Sequence, residues 1–138
     1  MAAVVFGVVL QPVRLSGISM EPTYRDGALN FTNRLAYAWR PPARGDVIAI
    51  RMAGPSVVYV KRIVGLPGER VEIAMGTVVI DGRPLAEPAV TRKAPWNVPA
   101  LTLGGDEYFV IGDNRAMAVE QHDFGRTTRQ RIVGKMLF

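Results

Sequence analysis

The sequence has 138 residues, with 17 Lys and Arg against 12 Asp and Glu, a net charge of +5 and no cysteine. The absence of thiols excludes disulfides and cysteine nucleophiles, and the single histidine, His122, excludes a cluster of histidine metal ligands and leaves any Ser-His-Asp triad only one candidate base. Fourteen of the cations are arginines spread along the chain without a basic run or an aromatic-interleaved patch, a balance that suits an anionic membrane surface and makes nucleic acid the poorer partner.

Residues 1–10 are wholly apolar but stop at Gln11-Pro12, short of the ~20 residues that a membrane-spanning helix needs. They lack the basic leading region of a secretory signal, and no A-x-A-like site follows them. Two readings stay open: the stub of a transmembrane anchor whose first half lies outside the chain, or a buried strand built from Val and Phe. The stub is preferred, because Gln11-Pro12 followed by Arg14 suits an exit from a bilayer toward its headgroups. Residues 1–12 are thus set apart from a single folded unit expected over 13–138.

Ser19 follows Gly17 by two residues and precedes Pro22 by three, so the backbone there is expected to be bent and held, turning one hydroxyl toward a groove. A serine in that company also serves as a turn or N-cap residue. Residues 28–33 read as a short strand. Residues 34–39 read as an apolar arm ended by Pro41-Pro42, whose Tyr37 and Trp39 suit either a membrane interface or the core. Arg44-Gly45-Asp46 is a turn before a buried strand at 47–50, and Gly54-Pro55 leads into another at 57–64. Residues 71–73 and 77–80 form a hairpin around Gly76, and Asp81-Gly82 is a two-residue turn signal. The proline-rich stretch 86–105 reads as an irregular surface excursion. Core strands follow at 108–111 and 131–138, with Gly112-Asp113-Asn114-Arg115 reading as a turn between them. The sum is a mainly β, antiparallel fold.

Within strand 57–64, period-two alternation puts Lys61 on a face with Val57, Tyr59 and Ile63, and Arg62 on the other with Val58, Val60 and Val64. One of these cations must lie against an apolar face. The candidate bases for a serine nucleophile are His122, a carboxylate, or one of three lysines. Of these, Lys93 lies in the proline-rich loop and Lys135 beside the C-terminus, both expected in solvent, so Lys61 alone has apolar neighbours. A lysine is protonated at its ordinary pKa of about 10.4, but a drop of ~3 units, costing about 4 kcal/mol, leaves it largely neutral near pH 7. Such tuning underlies Ser-Lys dyads. The alternative is that Lys61 snorkels to the strand edge and is merely solvated.

The segments Ser-Gly-Ile-Ser-Met-Glu-Pro-Thr (16–23), Arg-Gly-Asp-Val-Ile (44–48), Lys-Arg-Ile-Val-Gly-Leu-Pro-Gly-Glu (61–69) and Gly-Asp-Asn-Arg (112–115) resemble, in order and content, the successive boxes of the bacterial type I signal peptidases. These are membrane-bound Ser-Lys endopeptidases that remove signal peptides from exported preproteins on the outer face of the membrane. The resemblance covers nearly everything from Pro12 to Phe138. It implies an antiparallel β-sheet catalytic domain at the extracytoplasmic face of the plasma membrane, with Ser19 as nucleophile and Lys61 as general base. No metal or organic cofactor is needed, and exported preproteins and anionic lipid are the partners. The backbone N–H of Ser19 supplies part of the oxyanion stabilisation. Some members add a serine hydroxyl two residues before the nucleophile, where this chain has Gly17, and Ser16 is one residue out of place for that role. Leu15, Met20, Tyr59 and Val60 would line the pockets for the small substrate residues one and three positions before the cut, with the substrate bound as an extended strand.

The departures follow the last box, whose Gly112, Asp113, Asn114 and Arg115 are read as supports of the site. The family's S-x-D-S-R pattern is replaced by Ala118, Glu120 and His122 at the same spacing. Ala118 removes the hydroxyl that commonly hydrogen-bonds the base lysine, which would loosen its orientation and lower the rate unless water or another group substitutes. A Glu120–His122 pair is the expected brace. Two further readings stand beside a general signal peptidase: a maturation peptidase dedicated to one or a few substrates, such as those of conjugation systems, and a peptide-binding relative without hydrolytic activity.

Overall fold

The computed structural model describes residues 9–53 and 57–138; the apolar residues 1–8 of the expected anchor stub and the Gly54-Pro55 turn lie outside the described residues. Thirteen strands are described, almost all antiparallel. The larger sheet has seven: β1 (Leu10–Arg14), β2 (Leu29–Asn33), β3 (Val47–Ala53), β4 (Val57–Gly65), β10 (Glu107–Ile111), β12 (Gly125–Thr128) and β13 (Ile132–Met136). Their spatial order is β1-β2-β13-β3-β4-β10-β12. A second sheet, in the order β7-β6-β5-β9, holds β5 (Arg70–Ala74), β6 (Thr77–Ile80), β7 (Arg83–Pro84) and β9 (Val98–Thr102). Two short strands, β8 (Arg92–Lys93) and β11 (Asn114–Arg115), pair in parallel.

Alternation sorts the side chains of the large sheet into two clusters. Val47, Ala49 and Val60 gather on one side with Val13, Leu15, Met20 and Met136. Ile48, Ile50 and Ile63 gather on the other with Tyr37, Tyr108, Val110 and Ile132. Since Val13 of β1 and Leu15, just past its end, share a cluster with Val60 of β4, the sheet curls until its first edge returns over its middle. A third cluster, with Val64, Val71, Phe109 and Ile111 among its members, joins the second sheet to the first. In the hairpin between β5 and β6, Met75 and Gly76 both have positive φ, as does the Asp81-Gly82 pair that follows β6, the backbone signature of tight two-residue turns matched to strand twist.

Several expectations change. Gln11 and Pro12, expected as the exit from a bilayer, lie inside strand β1, which pairs with β2 from Leu10↔Asn33 to Arg14↔Leu29. Proline fits there because β1 is an edge: Leu15 exchanges backbone hydrogen bonds with Ala28 and Gly27 on the β2 side, so alternation turns residues 12 and 14 outward, and no ladder bond is lost at Pro12. Tyr37 and Trp39 part company. Tyr37 is buried and donates to the Asp46 carboxylate at 2.7 Å, whereas Trp39 is 86% exposed. The stretch 86–105 is not simply irregular, since β9 pairs with β5 and Val90, Trp96 and Leu103 are buried. Its prolines fall between short extended pieces rather than inside a long ladder, which hid those pieces from pattern reading. Lys93 is exposed as expected, but Lys135 is only half-exposed and stands 3.5 Å from Asp46.

The excursion is tied down by charge. Glu87 accepts from both terminal nitrogens of Arg115 at 2.7 and 3.1 Å, and both side chains are nearly fully buried. Breaking such a pair by removing one partner leaves an uncompensated buried charge. Glu87→Ala is therefore expected to lower the unfolding free energy by ~3–5 kcal/mol in urea denaturation, and a loss below ~1 kcal/mol would contradict this role for the pair.

Candidate active site

Ser19 lies half-buried in the loop between β1 and β2, and Lys61 lies on β4. The fold brings them together across 42 residues of sequence, with Lys61 Nζ 2.6 Å from Ser19 Oγ. Lys61 is 6% exposed. Its partner in the β3–β4 register is Ile48, and both Ile48 and Ile63, on the same face, are fully buried. Burial pushes the Lys61 amine below the ordinary lysine range, while the negative charge of Asp123 opposes that shift. The Tyr59 ring lies 5.8 Å from Nζ. Of the two readings of this lysine, snorkelling into solvent is excluded by its burial.

Nucleophile loop and lysine strand are keyed to one carboxylate. Asp113, with no exposed surface, accepts from Arg62 Nε at 2.8 Å and Nη2 at 2.7 Å, and from Thr23 Oγ1 at 2.5 Å. Arg62 directly follows Lys61, and Thr23 lies within the loop that carries Ser19. The next residue completes the clamp: Asn114 donates its backbone N–H to the Ser19 carbonyl at 2.9 Å and its Nδ2 to the Ile18 carbonyl at 3.1 Å. Gly112 makes the approach possible, because a Cβ there would stand 2.3 Å from the Ser19 carbonyl oxygen and 2.7 Å from the His122 ring.

A groove of about 480 Å³ runs past the pair, lined by residues 11–17, Ser19, Met20, Tyr24 and residues 58–61. Leu15, Met20, Tyr59 and Val60 are all in its wall. Its two rims are strand edges. β10 pairs with β4 only from Arg62 onward, and Ile63 exchanges backbone hydrogen bonds with Gly45 and Asp46 on the β3 side. By alternation the backbone polar groups of Val58 and Val60 point away from β3, toward the groove. Facing them, Pro12 and Arg14 turn their outward backbone groups from β1.

The divergent segment after the last box is arranged differently from the expected brace. Glu120 is exposed on a 3₁₀ turn, Val119–Gln121, and no hydrogen bond or ion pair joins it to His122. His122 is turned inward instead, 5% exposed, its ring edge-on to Trp96 with centroids 5.0 Å apart. Two residues along an irregular segment, unlike two along a strand, need not share a side of the chain, which defeats the pairing. Burial, with Lys61 and Arg115 nearby, pushes the imidazole down to about 4, so it is neutral at neutral pH. Sequence reading missed Glu87 and Trp96, which lie in the proline-rich stretch where periodicity is silent, and Asp123, which looked like an ordinary polar residue before Phe124-Gly125. Thr23 was quoted in its box without a role. Among the described residues no group of three or more His, Cys, Asp or Glu is placed to hold a metal ion.

The chain matches the model of the family described as signal peptidase, peptidase S26, over residues 1–138. It is 32% identical over 138 residues to a probable signal peptidase I-1 of Synechocystis, covering 94% of this chain and 70% of the relative. It is 35% identical over 125 residues to a signal peptidase I of Leptolyngbya laminosa, covering 85% of this chain and 62% of the relative's length. Among solved structures, a signal peptidase I from Enterococcus faecalis superimposes with a TM-score of 0.56 at 27% identity, over 70% of this chain and 97% of that one.

Two measurements test the geometry of the site. Gly112→Ala must displace the Ser19 carbonyl or the His122 ring, so a stability loss of ~1–3 kcal/mol is expected, with turnover falling on the order of 10²-fold from a displacement near 1 Å; unchanged turnover would contradict the close approach. For His122 the unfolded ring takes up a proton near 6.5 and the folded ring near 4, so the unfolded state binds more protons in that window. Stability should therefore fall as pH drops from 6.5 toward 4, by at most about 1.4 kcal/mol per pH unit. In denaturation curves across that range His122→Gln should flatten the slope, and an equal slope in both proteins would refute a buried neutral imidazole.

Proposed function

Since the chain belongs to the signal peptidase, peptidase S26, family, we propose that its signal-peptide-cleaving endopeptidase chemistry runs on Ser19 as nucleophile and Lys61 as general base. The observation that carries this assignment is the 2.6 Å approach of Nζ to Oγ with the amine buried against Ile48 and Ile63. The protein is a serine endopeptidase, a hydrolase acting on exported preproteins, and the family is membrane-associated. Among the described residues no helix is long and apolar enough to cross a membrane.

In the proposed cycle the neutral Lys61 amine accepts the Ser19 hydroxyl proton as Oγ attacks the carbonyl carbon of the residue preceding the cut. The tetrahedral oxyanion is met by the backbone N–H of Ser19, which none of the hydrogen bonds among the described residues uses. Collapse expels the amine of the mature protein, which takes its proton from the Lys61 ammonium, and leaves an ester on Ser19. Water that gives a proton to Lys61 then hydrolyses the ester and restores the hydroxyl.

The substrate lies extended between the two strand edges, pairing with the outward backbone groups of Val58 and Val60 on one side and of Pro12 and Arg14 on the other. This is strand addition, in which main-chain bonds give affinity and side-chain pockets give selectivity. Leu15, Met20, Tyr59 and Val60 leave room for small side chains, which excludes bulk well and separates Ala, Gly and Ser weakly. Gly112, Asp113, Asn114 and Arg115 act as supports, the first three on the Ser19 loop and Arg115 on the excursion through Glu87. We assign the net charge of +5 and the exposed Trp39, flanked by Arg40, to contact with anionic lipid, with the catalytic unit, β1 included, on the extracytoplasmic face.

The test is cleavage of a purified preprotein with an Ala-x-Ala site, in lipid or detergent. Ser19→Ala and Lys61→Ala are each expected to reduce turnover by about 10³-fold or more, with the fold intact by circular dichroism. Cleavage by Ser19→Ala at the rate of the natural protein would refute the assignment.

A further inference from the structure

A second cavity, of about 110 Å³, also reaches Lys61. It is lined by Ile50, Tyr59, Lys61, Val110 and residues 123–127. Two of its polar groups bear on the lysine, one buried and unpaired among the described residues and the other, Asp123, on an exposed residue. Thr127, on β12 opposite Tyr108, is 5% exposed, and its hydroxyl oxygen has no hydrogen-bond partner among the described residues. The Asp123 carboxylate acts on Lys61 through its charge without a direct hydrogen bond.

Lys61 has a matching deficit. Among the described residues its only side-chain hydrogen-bond partner is Ser19 Oγ. A neutral amine that receives the hydroxyl proton on its lone pair keeps two N–H groups that need acceptors in a buried site. Ala118, where the family commonly places a serine hydroxyl against the lysine, has no oxygen to offer. The cavity exceeds by several-fold the ~10–15 Å³ needed for one water, and Thr127 Oγ1, Asp123 and the amine give such a water its partners.

We propose that Asp123 and Thr127 are positioning residues that hold a water against Lys61 Nζ from this second cavity, accepting from the amine and aiming its lone pair at Ser19 Oγ. The proposal rests on the Ser19–Lys61 reading above. The same water stays on Lys61 while a peptide fills the groove, so the proton that the amine carries in each tetrahedral intermediate is stabilised. The titratable and charged groups around Nζ are Tyr59 on its own strand, Asp123 and Arg126 in the cavity, and the buried neutral His122. Only Asp123 supplies negative charge.

The test uses the full chain in detergent with 13C-labelled lysine. With three lysines the Lys61 Cε resonance is identified by its loss in Lys61→Ala, and its titration is read independently of cleavage. In Asp123→Asn the Lys61 midpoint should fall, because the opposing charge is gone while an acceptor oxygen remains. In preprotein cleavage, Asp123→Ala and Thr127→Val should each lower kcat about tenfold with KM little changed, and Asp123→Asn should lose less than Asp123→Ala. An unmoved Lys61 midpoint in Asp123→Asn, or undiminished kcat in both Asp123→Ala and Thr127→Val, would overturn the proposal. Cleavage that survives Lys61→Ala would instead overturn the dyad, so the two failures are distinguishable.

Discussion

The buried carboxylate of Asp113 fixes the distance on which the site depends. No disulfide ties the Ser19 loop to strand β4, and a loop of this kind is free to drift unless something from the sheet holds it. Asp113 takes two hydrogen bonds from Arg62, the neighbour of the lysine, and one from Thr23, within the nucleophile loop. Asn114 then fastens the carbonyls of Ile18 and Ser19. A bidentate guanidinium–carboxylate pair sets orientation as well as distance, so the base and the nucleophile share one frame of reference. The desolvation of such a pair is costly and adds little net stability. Its value here is specificity of geometry.

The second constraint is dielectric. Lys61 shares its face with isoleucines instead of solvent, and that face is where an ammonium is least welcome. Arg62, one residue on, projects to the opposite side, where Asp113 meets it. Alternation along one strand thus delivers two cations to two fates, one kept charged by a carboxylate and one made available as a neutral base. The curl of the seven-stranded sheet does the remaining work by returning the β1 edge over β4, leaving two unpaired strand edges that face each other beside the hydroxyl.

Much of this was legible in the sequence where period-two patterning is strong. The alternation from Val57 to Val64 put Lys61 on an apolar face, and the Asp81-Gly82 and Gly76 turns set the second sheet's hairpin. The four boxes indicated which residues converge, though their contacts were invisible. What stayed hidden depended on tertiary context. Pro12 reads as a breaker until β1 is known to be an edge with that nitrogen outward. Trp96 and Glu87 sit among prolines, where no periodicity announces burial, and the expected pairing of Glu120 with His122 gave way to a histidine packed against Trp96 because the segment is irregular. No local pattern could have joined Asp123 and Thr127 to a lysine more than sixty residues away.

The most direct test of the account is the pH dependence of kcat/KM for preprotein cleavage, because the account requires Lys61 to act without its proton. The rate should rise with pH through an acidic limb whose midpoint lies clearly below 10.5, the value from which burial lowers this lysine. A limb centred at the ordinary lysine value would contradict a desolvated base and with it the proposed mechanism.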